Sequence, residues 1–129
     1  MNRGMNVAHG LYLWILEPDD YINRYMLEDM WNFANKFDQL PEIVKTPYNR
    51  IILHDSINER ITPCVYAHGY NFGMETFTIN QAPNLLNEHP SIWSSIYLRS
   101  FLEEHEIRFR EIPGAGWADN PFMVDTLCR

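Results

Sequence analysis

SIWSSIYLRSFLEEH, Ser91 to His105, is the stretch whose reading decides the fold. Ile92, Ile96, Arg99 and Leu102 recur at helical steps, and Trp93, Tyr97 and Phe101 form the neighbouring stripe. That period predicts an amphipathic helix opened by Pro90 or Ser91. A similar pattern lies upstream in YINRYMLEDMWNFANKF, where Ile22, Met26, Met30, Phe33 and Phe37 share a face. It predicts a helix of about five turns. Asp19 or Asp20 is placed to cap it, and acids in its first turns suit the positive end of the helix dipole.

Outside these two stretches the pattern changes. LYLWIL (Leu11–Leu16) reads as a buried strand bounded by Gly10 and Pro18. LPEIVKTPYN, with two prolines, reads as a connection. RIILHD reads as a second strand and SINER as a polar turn. TPCVYAHGYNFGMETFTINQ reads as a hairpin, with Val65–Ala67 facing Thr76–Ile79 and Gly73 supplying the positive φ of the loop. EIRFREI alternates and predicts a half-exposed strand. The expected fold is therefore one α+β domain over residues 1–112: a mainly antiparallel sheet of four to five strands with two helices on one face. Without one hairpin arm the order is βαββαβ, a ferredoxin-like arrangement that hosts many unrelated functions. Residues 113–129 read as a tail that packs on the domain or on a partner.

Composition is that of an ordinary globular chain, 46% hydrophobic and 21% charged over 129 residues. Net charge is −7, and Lys and Arg form no cluster. Binding to phosphates by counterion release needs such a cluster, so direct nucleic-acid binding is not expected. Cys64 and Cys128 show no metal-type spacing and read as free thiols of a reducing, cytoplasmic setting. GLYLWIL is too short to span a membrane and lacks a signal-peptide cleavage site, so no membrane partner is expected. Gly114–Gly116 lacks the Lys-Ser/Thr of a phosphate loop, and no cofactor is expected.

Two groups of residues carry chemistry. His54 and Asp55 are adjacent at the end of a strand-like run. Neighbours in a strand face opposite sides, which argues against their acting together and makes Asp55 a turn cap. If His54 meets His68 across the sheet, then His54, Asp55 and His68 suit a small hydrolase or nuclease. With Glu75, His54 and His68 form a two-His, one-carboxylate metal set. The second group mixes aromatics and acids: Tyr21, Tyr25, Glu28, Asp29 and Trp31 near the first helix, with Trp117 and Phe122 in the tail. Large aromatics at a surface anchor protein interfaces. The reading that follows is a non-enzymatic protein-binding module, a small acidic accessory or inhibitor protein facing a basic or apolar partner surface. By class it resembles phage-type inhibitors of host or defence machinery. The hydrolase is the alternative, and a homodimer is a third reading.

Overall fold

In the computed structural model, residues 1–64, 75–113 and 117–129 are described. His68, the hairpin arm 65–67, Gly73 and the glycines at 114 and 116 lie outside them. The elements are α1 (Asn2–Val7), β1 (Tyr12–Trp14), α2 (Met26–Ala34), β2 (Ile43–Lys45), β3 (Asn49–Ile52), β4 (Arg60–Pro63), β5 (Ser95–Leu98), α3 (Arg99–Glu104) and α4 (Asp119–Leu127). Among the described residues no helix is long and apolar enough to cross a membrane.

The fold is α+β, as the pattern implied, but its centre is a strand where the periodicity predicts a helix. β5 takes the middle of an antiparallel sheet of order β1-β5-β2, with Leu13 opposite Tyr97 and Val44 opposite Ile96. The reason is burial on two sides. Ile96 points to a core cluster with Val44, Met30 and Ala34 beneath α2. Its neighbour Tyr97 points to the opposite cluster of Leu13, Phe101, Leu102, Phe109 and Phe122. A helix would place one stripe against one surface, whereas a strand alternates and serves both. Helical geometry resumes only at Arg99, after the extended Leu98. The helices thus divide between both faces of the sheet rather than sharing one. The described strands do not form a ferredoxin-like sheet, because β3 and β4 make a separate two-stranded ribbon.

The turn that launches β5 holds a half-buried cation. The Lys45 ammonium, at the end of β2, donates to Pro90 O at 3.0 Å and Ser91 O at 3.1 Å. It also reaches the hydroxyls of Ser91 at 2.8 Å, Ser94 at 3.1 Å and Ser95 at 3.4 Å. Ser91 adopts φ +37° to bring its oxygens round, a left-handed conformation that costs a non-glycine residue roughly 1–2 kcal/mol. Burial pushes the Lys45 amine down to about 8, with the nearby Cys64 acting weakly in the other direction.

Other expectations shift in extent. The first long helix is only Met26–Ala34. The Asn23 side chain accepts the Tyr25 N–H at 2.9 Å and so starts the helix late, and the Asn35 side chain donates to Trp31 O at 2.8 Å at its end. IVK, inside the supposed connection, is β2. EIRFREI forms no ladder: the Asn2 amide donates to Phe109 O at 2.8 Å and accepts Phe109 N–H at 2.9 Å, replacing a partner strand. Its alternation survives as burial of Ile107 and Phe109. The tail contains α4, with Pro121 in its first turn, where a missing N–H is harmless. Phe122 stacks on Phe109 at 4.1 Å and meets Tyr97 edge-on at 5.2 Å, so the tail packs on the domain.

The Lys45 cage makes a pH prediction. The folded amine near 8 lies below its usual 10.5, so the unfolded chain holds more protons between those values, and stability rises with pH there. Tyr12, held at about 12 mainly by burial, opposes only above its usual 10.0. Urea midpoints at about pH 7.5 and about pH 9.5, either side of the folded lysine value, should therefore show the wild type gaining on Lys45→Met. Parallel pH curves for the two proteins would show that the amine is not desolvated.

Candidate functional site

A cleft of about 750 Å³ lies between the segment leading into α2, the β2–β3 connection and the turn before β5. Its acidic side is Asp19, Asp20 and Asp29. An aromatic corner of Tyr48, His89 and Trp93 lines the same cleft. Tyr48 and Trp93 are 5.8 Å apart, His89 and Trp93 5.3 Å, and Tyr48 and His89 6.4 Å, with rings tilted by 61–64°. Arg50, Tyr21 and His54 line the cleft as well, the last two as a stacked pair at 5.4 Å.

Local chemistry builds each wall. Pro47 carries the chain out of β2. The Cys64 N–H donates to Tyr48 O at 2.8 Å, and the Tyr48 N–H reaches the Cys64 sulfur at 3.3 Å, which fixes the Tyr48 backbone. The Ser91 N–H donates to His89 Nδ1 at 3.1 Å, which sets the neutral ring as its Nε2–H tautomer. Trp93 is held from behind, where its carbonyl accepts the Trp14 indole N–H at 2.6 Å. On the acidic side, burial raises the Asp20 carboxyl, Asp19 raises it further, and His89 opposes both. Glu17 is raised by burial first and then by Asp119, Asp20 and Asp19.

His54 and Asp55 do converge, contrary to the strand-parity expectation. β3 ends at Ile52, and Leu53 and Asp55 take positive φ values of 57° and 58°, so strand alternation no longer applies. His54 Nδ1 lies 3.1 Å from Asp55 Oδ2, with both side chains exposed. Glu59 joins them: its carboxylate accepts the Asp55 N–H at 3.0 Å, and one ligand-type atom from each of the three lies within 4.8 Å of the others. The Asp55 side chain is therefore not the turn's cap; Ser56 Oγ accepts the Asn58 N–H at 3.2 Å instead. Glu75 is exposed and outside this cluster. Whether His68 meets His54 lies outside the described residues.

The aromatic–acidic set is dispersed. Tyr21 and Asp29 line the cleft. Tyr25, under the Arg24 guanidinium at 4.8 Å, Glu28 and Trp31 are exposed on or beside α2. Trp117 is 83% exposed. Phe122 corrects its expected surface position: at 1% exposure it is core. Asp19, Asp20, Tyr48, Arg50, His89 and Trp93 were not singled out as site residues from the sequence, because residues from three separate segments meet only after β5 pairs with β2.

The raised carboxyls predict a pH effect. A carboxylate with a raised folded value favours folding while protonated, and that stability is lost as pH rises through the folded value. Asp20→Asn and Glu17→Gln should each raise the melting temperature at pH 7. The gain should vanish as pH falls to the usual values of 3.8 and 4.5. A melting temperature at pH 7 that drops in both variants would show the carboxylates to be stabilising. No family model, curated protein or solved structure matches the chain.

Proposed function

We propose that the chain is a protein-binding module, a small acidic accessory or inhibitor protein that acts by covering a partner's surface. One observation carries this reading: every residue of the β3–β4 ribbon is exposed, and so is its connecting turn. Ile51, Ile52 and Ile61 lie exposed on the strands, and Leu53 at 59% and Ile57 at 101% stand out from the turn. Apolar surface gathered on a projecting ribbon supports contact with another protein. Among the described residues the ribbon's outer edges pair with no other strand, which supports docking by strand addition as well. Tyr21, 74% exposed, stacks on His54 and joins the ribbon to the acidic segment. The partner surface is accordingly apolar with basic neighbours. Cys64 and Cys128 are unbridged, in keeping with a reducing, cytoplasmic setting.

Ile57→Asp combined with Leu53→Asp should leave the melting temperature unchanged and lower affinity for a captured partner at least about tenfold, the loss of roughly 1.4 kcal/mol or more. Trp117→Ala tests the tail in the same assay. Undiminished capture by the ribbon variant would remove the ribbon from the interface. Light scattering over a concentration series identifies a second copy as the occupant if that variant alone becomes monomeric.

A metal-assisted hydrolase or nuclease is the second reading, favoured by the gathering of His54, Asp55 and Glu59. Nitrogen and oxygen donors of this kind suit Zn²⁺ or Mn²⁺. It requires that one of these ions raise the melting temperature of the wild type and not of Glu59→Ala. Equal responses would end it.

A further inference from the structure

We infer that the 750 Å³ cleft receives an arginine side chain presented by the partner protein. The inference deepens the protein-binding reading and rests on it for the source of the arginine. It stands on two groups of lining residues. Asp19, Asp20 and Asp29 line the cleft, and among the described residues the only Lys or Arg that does so is Arg50. The corner of Tyr48, His89 and Trp93, with rings tilted to one another by 61–64°, lines the same cleft.

Guanidinium is the ligand group that matches both. It is planar and stacks on aromatic faces, and its fork of N–H donors meets carboxylates two at a time. An ammonium is a point charge with a tighter hydration shell and uses the aromatic wall less well. A carboxylate or phosphate would face three aspartates. A neutral aromatic would fill the corner and leave the carboxylates uncompensated. Burial first and then Asp19 raise the Asp20 carboxyl, and a cation beside the two acids relieves their repulsion. The cleft also opens beside the ribbon, since Ile51 and His54 line it. A partner lying on the ribbon can therefore extend a basic side chain inward.

The test uses the full chain and the blocked peptide Gly-Arg-Gly-Arg-Gly, with citrulline and lysine versions of it, followed by amide chemical shifts in solution. The arginine peptide should shift residues 19–23, 46–50 and 89–94. The citrulline peptide, equal in shape and uncharged, should bind at least about tenfold more weakly, and the lysine peptide several-fold more weakly. Asp19→Asn with Asp20→Asn should weaken the arginine peptide by about tenfold while the protein remains folded. Equal binding of arginine and citrulline peptides, or shifts spread away from these segments, would overturn the inference. Spermidine binding more tightly than the arginine peptide would also overturn it, in favour of a free polycation. The two readings fail separately. Partner capture lost in the ribbon variant and intact in the Asp19/Asp20 variant removes the arginine site alone. Peptide binding in a chain whose ribbon variant captures as well as wild type removes the ribbon interface alone.

Discussion

A single lysine links β2 to the turn that launches β5. Lys45 ends β2, and its five oxygen neighbours come from Pro90, Ser91, Ser94 and Ser95. A half-buried cation without such partners would be destabilising, so the turn must deliver its oxygens to that point. Doing so forces Ser91 left-handed and sends the chain out extended, opposite Lys45, as β5. Once β5 is extended, Ile96 and Tyr97 divide the apolar side chains between two cores, and the helices must cover both faces. The same turn places His89 and Trp93 against Tyr48 and thereby builds the aromatic wall of the cleft. Architecture and candidate site thus share one electrostatic requirement.

The parts legible in the sequence are those decided by local chemistry. LYLWIL holds the strand Tyr12–Trp14, an aromatic-rich run that packs Leu13 into one core cluster and Tyr12 and Trp14 against the other; SINER is a turn because Ser56 and Glu59 accept the Asn58 and Asp55 N–H groups. The core of α2 shows in the spacing of Met30 and Ala34. SIWSSIYLRSFLEEH misleads because its apolar residues fit a helix and a two-sided strand alike. The better signal is Ser91, Ser94 and Ser95, three poor helix formers, yet their partner lies some fifty residues upstream. Phe122 illustrates the same limit. Nothing local says that a ring in a loop-like tail stacks on Phe109.

The candidate site was less legible than the fold. Parity along a strand separates His54 from Asp55 only while the strand lasts, and two left-handed residues end that rule at Leu53. Acidity and aromatic content were visible as composition. Their gathering in one cleft was not, since Asp20, Tyr48 and Trp93 are brought together only by the antiparallel pairing of β2 with β5.

The position of β5 also sets an order of events during synthesis. β1 and β2 both hydrogen-bond to it and not to each other. Trp14 must therefore wait for Ser95 to Leu98 to emerge, a separation of about 80 residues, or roughly 4–16 s at ribosomal speeds of about 5–20 residues per second. Throughout that interval LYLWIL is an apolar strand with neither edge paired. The nascent chain passes through a stage at which its first strand is a ready template for chaperones or for neighbouring chains, and the arrival of β5 then closes one of its two edges.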